Sequence, residues 1–124
     1  MANESIPLYR PGSDVSATPT AAVKGKTFVD VSGAIAGGLV KVTTATAAGK
    51  AFGVAAFDAP QDGTVAVIRG SKTILPVVAG GTLAAGDEVE VGAGGKAVKL
   101  ASGLAVGRAL DAAAADADVF IEIY

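Results

Sequence analysis

The sequence contains no cysteine, no histidine and no tryptophan, and these absences remove most familiar site chemistry before any pattern is sought. Without cysteine there is no disulfide framework and no thiolate nucleophile. Without cysteine or histidine the two commonest transition-metal ligands are missing, so neither a metal nor a cofactor is expected. A Ser-His-Asp or Cys-His device needs an imidazole to shuttle the proton, which excludes that class of enzyme. Two tyrosines and four phenylalanines in 124 residues are a poor supply for the aromatic platforms of carbohydrate or ligand sites. Ten Lys and Arg against twelve Asp and Glu, scattered singly, create no basic field, so nucleic acid is not an expected partner. No run approaches the ~20 apolar residues that span a bilayer, and no basic segment followed by an apolar one opens the chain. The expectation is a protein made in the cytoplasm, with no membrane partner.

Small and β-branched residues are abundant instead. Ala and Val dominate and there are 17 glycines. Val fits a pleated surface through its branched Cβ, and frequent glycine marks tight turns, so the mixture predicts many short strands and no helical body. Short runs with period two alternate with glycine-rich breaks from Thr27 onward. They predict strands over 27–31, 39–44, 51–57, 64–69, 73–78, 87–91, 96–100, 104–110 and 118–124. The clearest hairpin joins Asp87–Val91 to Lys96–Leu100 through Gly92–Gly95, with Val89, Val91, Val98 and Leu100 toward the core and charged side chains outside. Pro76 donates no ladder hydrogen bond and is expected at a sheet edge or a bulge. The last strand puts Val119, Ile121 and Ile123 on one face and Phe120 and Tyr124 on the other. Apolar groups on that second face predict a contact, either another layer or another subunit.

Residues 1–26 read differently, with three of the five prolines and little periodicity, and are expected to form an extended N-terminal arm ahead of a β-rich domain over 27–124. Within the arm Ile6, Pro7, Leu8, Tyr9, Arg10 and Pro11 make an apolar island, which either lies on a partner or folds back onto its own domain. The domain carries an internal echo. Gly33-x-Ile35, Val40-x-Val42, Phe52-Gly53-Val54-Ala55, Asp58-Ala59 and Val65-x-Val67 are answered by Gly81-x-Leu83, Val89-x-Val91, Val106-Gly107-Arg108-Ala109, Asp111-Ala112 and Val119-x-Ile121. The expected fold is all-β: a small barrel or sandwich of about eight to nine short strands, built from two pseudo-repeats that complete one another's core.

Apparent catalytic motifs dissolve on inspection. Lys24-Gly25-Lys26-Thr27 matches the end of a phosphate loop, but Thr20 stands where its first glycine is required. Gly92-x-Gly94 lacks the third glycine of a dinucleotide loop. Ser71 and Lys72 are adjacent and would point to opposite faces of a strand. Asp111, Asp116 and Asp118 offer hard-cation oxygens with no calcium-loop spacing, and read better as a solvated turn. Lys96 near a hairpin tip lacks the flanking residues of a lipoyl or biotinyl lysine. The chain is not expected to be an enzyme.

The order of several segments resembles the capsid decoration, or cement, proteins of tailed bacteriophages, of the actinobacterial siphophage type. Those segments are Leu8-Tyr9-Arg10-Pro11-Gly12, Val23-x-Gly25-Lys26-x-Phe28-Val29, Gly53–Ala59, Ala79–Val91, Gly95-Lys96-Ala97 and Ala101–Gly107. The resemblance implies a virion protein on the outer surface of an expanded icosahedral head, cementing neighbouring major capsid subunits of the HK97 type. On that reading the apolar island Ile6–Pro11 is the part expected to meet the shell. Phe120 and Tyr124 on the outer face of the last strand separately predict a homo-oligomer with these two residues at the subunit interface, and a trimer is favoured because lambda-type decoration proteins are trimers. The alternative reading is a carbohydrate- or ligand-binding β-module on a virion or cell surface.

Overall fold

The computed structural model describes residues 3–8 and 13–124, whose regular secondary structure is all β apart from one short 3-10 turn. The strands are β1 (Asp14–Pro19), β2 (Phe28–Ala36), β3 (Leu39–Thr44), β4 (Gly53–Ala55), β5 (Val65–Ile68), β6 (Ile74–Val78), β7 (Glu88–Val91), β8 (Ala97–Lys99), β9 (Gly107–Ala109) and β10 (Asp118–Ile123). All nine expected strands are present. The tenth, β1, lies inside the span expected to be arm. Its alternation buries Val15, Ala17 and Pro19, and it pairs antiparallel with β5 and parallel with β3. The barrel therefore begins at Asp14, inside the span expected to be arm.

Strands β1 to β5 close into a barrel in the order β1-β3-β2-β4-β5. Strands β6 to β10 form a second sheet in the order β6-β10-β9-β7-β8, which is the same arrangement with its ends joined by one parallel bridge, Ala79 to Ala97. The two halves match pair by pair. Val15 faces Val67 as Leu75 faces Ile121. Val29 faces Gly53 as Val89 faces Gly107. The Val23–Ala59 bridge is answered by Leu83–Ala113. Even the strained turns repeat: Lys26 (φ 62) corresponds to Gly86 (φ 91), and Asp62 (φ 63) to Asp116 (φ 66).

The expected duplication is thus real, but its register needs correction over the first part. Val23 and Val29-x-Val31 correspond to Leu83 and Val89-x-Val91, not Ile35 and Val40-x-Val42. Ala59 corresponds to Ala113, so the Asp58–Asp111 match slips by one. The later correspondences, Phe52–Ala55 to Val106–Ala109 and Val65-x-Val67 to Val119-x-Ile121, stand. The cause is a length difference between hairpins. Ten residues separate Val31 from Val42 and five separate Val91 from Ala97. The longer hairpin turns at Gly37 and Gly38, whose φ values of 59 and 76 suit a tight two-residue loop, and residues 31–38 are all exposed.

Two cores result. One fills the barrel with Val15, Ala17, Val23, Val29, Val42, Ala55, Ala59, Val65 and Val67. The other fills the second half with Leu75, Val77, Leu83, Val89, Val91, Val119, Ile121 and their neighbours, and takes in Phe28, Ala45 and Val54 from the barrel's outside. Alternation along β2 and β4 makes this possible, since Val29 and Ala55 point into the barrel while Phe28 and Val54 point out of it. Backbone hydrogen bonds from Val78 N to Lys26 O (2.9 Å) and Ala48 N to Val91 O (2.8 Å) stitch the halves together. At Gly53 and Gly107, equivalent positions, an added Cβ would lie 2.6 Å from the carbonyl oxygen of Ile68 and of Glu122. Both sites need glycine because a neighbouring strand crosses that closely.

Pro76 lies on the edge strand β6, as its missing N–H requires. The β7–β8 hairpin forms as expected, with two differences. Ala97, fully buried, turns to the core, while Val98 and Leu100 are only half-buried. Glu90 is also buried, at 5% exposure, instead of standing on the outer face. Its carboxylate accepts hydrogen bonds from Ala101 N and Gly103 N, so the loop after β8 folds over it and satisfies it.

Candidate functional site

The first candidate is the segment before the barrel. Residues 3–8 are exposed, Ile6 at 85% and Leu8 at 59%, so these two side chains contribute nothing to their own chain's core. Of the six residues expected to make the apolar island, Ile6, Pro7 and Leu8 are placed in this way. Tyr9, Arg10 and Pro11 lie outside the described residues. The chain enters the barrel at Ser13, whose carbonyl accepts a hydrogen bond from Arg69 N at 2.6 Å.

The second candidate is the outer face of β6, β10 and β9. Pairing sets Pro76 opposite Phe120, and Leu110 N donates to Phe120 O, so Leu110, Phe120 and Pro76 form one row across the sheet. Phe120 is 51% exposed, and Leu110 and Ile74 on the same side are exposed as well. In the barrel the equivalent row is Ala56, Ala66 and Ser16, with no large apolar group. The next row is charged: Arg108 Nε donates to Glu122 Oε1 at 2.8 Å. Beside it the Tyr124 hydroxyl donates to Glu88 Oε1 at 2.9 Å. This bond to a carboxylate, with minor help from desolvation and the Glu88 charge, raises the Tyr124 phenol above its ordinary pKa. Phe120 and Tyr124, expected together at an interface, therefore share a face but occupy an apolar and a hydrogen-bonded setting respectively.

The third candidate was not visible in the sequence. A cleft of about 470 Å³ opens where the halves meet, lined among others by Lys50, Phe52, Arg69, Leu104, Val106 and Tyr124. Equivalent segments of the two halves build it, residues 50–53 from one and 104–106 from the other. The Arg69 guanidinium lies 4.1 Å over the Phe52 ring, and its Nε donates to Phe52 O at 2.9 Å. Stacking and hydrogen bond hold the Arg69 charge against the aromatic part of a wall that also carries Lys50. Phe52 enters the sequence reading only as part of the internal repeat, which gives no sign of a cleft.

The carboxylates considered as cation ligands are not brought together. Asp116 pairs with Lys96 at 2.7 Å, Asp118 pairs with Lys26 at 2.6 Å, and Asp111 accepts from the Ala112 backbone. Among the described residues no three acidic groups are placed to share a metal ion. The surfaces offer apolar contact, charge and strand edges, which is the chemistry of adhesion between proteins.

Comparisons with known proteins agree with that chemistry. No curated protein matches the chain. Among solved structures, the crystal structure of the N base of the head fiber gp8.5 in bacteriophage phi29 superposes with a TM-score of 0.76 at 20% identity, covering 90% of this chain and 92% of that one. At that identity the likeness concerns the fold. The model of a protein family matches residues 9–123, nearly the whole length, and its description is phage cement protein. The exposed apolar surfaces on a doubled, rigid β body thus belong to a structural protein of the phage head, and the chain is a member of the phage cement protein family.

Proposed function

We propose that the protein decorates the outer surface of an expanded icosahedral head made of HK97-type major capsid subunits and clamps neighbouring subunits against outward pressure. The virus is of the actinobacterial siphophage type, and the protein is made in the host cytoplasm before joining the particle. The observation that carries this reading is the contrast between a doubled barrel with two filled cores and apolar groups held outside it, namely Ile6, Leu8, Ile74, Leu110 and Phe120. A rigid body with its apolar surface displaced onto projections is suited to hold other surfaces together.

The segment over Ile6–Pro11 reaches across to a neighbouring polypeptide on the head. An extended, proline-bearing segment adds to a strand edge or lies in a groove with little competition from helix. Ordering it costs roughly 1–2 kcal/mol per residue, which burial of its apolar side chains and repeated attachment must offset. The Phe120 row is the contact between copies in a homo-oligomer, with a trimer favoured. Selectivity for mature heads follows from geometry, because the receiving surfaces come together only on expansion.

The test is binding to expanded heads and to unexpanded precursors, read as copies per particle. Full-length protein should occupy expanded heads alone. Deleting residues 2–12 should abolish occupancy while the barrel keeps its thermal transition, and Phe120→Ser should weaken self-association in sedimentation. Equal occupancy of expanded heads by the truncated chain would remove the arm from the mechanism, and absence of binding by the intact chain would remove the decoration reading.

A further inference from the structure

We propose that the cleft between the two halves is the receptor for the Glu4–Leu8 segment of a second copy of the chain. The inference stands on charge, exposure and the position of the arm's root. Its consequence on the head, copies linked arm to cleft, rests on the decoration reading.

The cleft combines two cations with an apolar wall. Lys50 and Arg69 line it together with Phe52, Leu104, Val106 and Tyr124, and no acidic residue is among its described lining. Leu104 is 51% exposed and Tyr124 47%, so apolar surface faces solvent there. Lys50 makes no ion pair among the described residues.

The segment 4–8 offers the complement. In an extended chain alternate residues share a side, which sets Glu4, Ile6 and Leu8 on one edge of Glu4-Ser5-Ile6-Pro7-Leu8. Pro7 holds its φ near the extended value and disfavours helix. One carboxylate followed by two aliphatic side chains complements a cleft whose lining holds Lys50 together with the apolar Phe52, Leu104 and Val106. Ile6 and Leu8 are exposed on their own chain, so the cleft is not filled by them in cis.

The root of the arm explains why a second copy is the occupant. Ser13 is hydrogen-bonded to Arg69 N and packs beside Gly70, and Arg69, Gly70 and Ser71 belong to the cleft wall. Donor arm and acceptor cleft therefore lie at one place on each molecule. A copy that extends its arm to one neighbour keeps its own cleft open to receive the arm of another or the same neighbour. Nine residues from Glu4 to Ser13 span at most about 32 Å when extended, which limits how far apart the exchanging copies sit.

Because the sequence has no cysteine, two introduced thiols report the contact without background. Full-length chains carrying Leu8→Cys alone and Leu104→Cys alone are mixed and oxidised, free at high concentration and on expanded heads, with Leu8→Cys plus Ala34→Cys as the control. Both principal positions are exposed, and an unchanged thermal transition checks each fold. The expected result is a disulfide between the two chains, far above the control. Glu4→Lys in the donor should lower its yield severalfold, and Lys50→Glu in the receiver should restore it. Three results would overturn the proposal: a Leu8→Cys/Leu104→Cys chain that bridges only within itself, a yield no higher than the control both in solution and on heads, or a yield indifferent to the charge pair. Head occupancy is read separately. Occupied heads without the bridge sink this inference alone, and the bridge in a chain that does not bind heads sinks the decoration reading alone.

Discussion

Phe28 and Glu88 occupy equivalent positions in the two halves, yet Phe28 is buried at 1% exposure in the core of the second half, while Glu88 stands at the surface and accepts the Tyr124 hydroxyl. The same contrast runs through their neighbours. Val54 and Ile68 of the barrel pack against the second core, whereas the corresponding Arg108 and Glu122 form an ion pair at the surface, Arg108 exposed and Glu122 largely covered. One face of a repeated unit has become a joint and its counterpart a surface. A further unit packed on the second half in the same way would have to bury those charges.

Phe28→Ala should accordingly destabilise the protein by about 3–5 kcal/mol, the range for truncating a buried aromatic. Glu88→Ala at the equivalent position should change stability by roughly 0.5 kcal/mol or less, as surface substitutions do. Urea denaturation of the two variants checks this, and equal losses would contradict the assignment of Phe28 to the joint.

Glu90 ties down the loop between β8 and β9 through the Ala101 and Gly103 N–H groups. Glu90→Ala leaves those donors without their acceptor and should cost about 1–3 kcal/mol. Amide exchange at Ala101 and Gly103 should accelerate in Glu90→Ala and not in Glu88→Ala. Unaltered exchange at both amides would show that the carboxylate does not hold the loop.

Tyr124 should titrate above the ordinary tyrosine range, because the bond to Glu88 favours the protonated phenol. A folded-state pKa raised above the unfolded one gives stabilisation that is complete below the unfolded pKa and lost as pH rises through the folded one. The loss therefore falls in the alkaline range, above the ordinary tyrosine pKa. Ultraviolet titration of a Tyr9→Phe chain isolates Tyr124, and Glu88→Gln should bring its pKa down. A pKa at the ordinary value in both chains would contradict the bond.

Much of the fold was legible in the residues. Val and glycine placed nine strands with small errors at their ends, Pro76 marked an edge, and Val119, Ile121 and Ile123 marked an inward face. Strand β1 was hidden by Ser16, Thr18 and Pro19 within it and by the prolines ahead of it. Pro19 ends that strand at a position where no donor is demanded, so composition suggested an arm where pairing with β3 and β5 makes a stave. The repeat was readable, but a chain so rich in Ala, Gly and Val does not reveal where a five-residue difference in hairpin length falls. Glu90 was misplaced for a related reason: alternation assigns it a face, and only the loop folding over that face decides whether the face meets water.

Of the candidate surfaces, Ile6, Leu8 and Phe120 were legible because large apolar residues in an arm or on the second face of a strand contradict solvation. The cleft was not, since Lys50, Phe52, Arg69 and Leu104 are far apart in the chain and share no pattern.

By itself the sequence determined the class of the fold: β-branched runs broken by glycine make strands, and missing histidine and cysteine remove imidazole and thiolate chemistry. Which repeated face became a joint and which a surface, where the two halves open a cleft, and where the arm is rooted were decided only by tertiary structure. The reason is physical. Strand formation is governed by neighbours two residues apart, while burial of Phe28 and exposure of Leu104 depend on surfaces that meet only when distant segments pack.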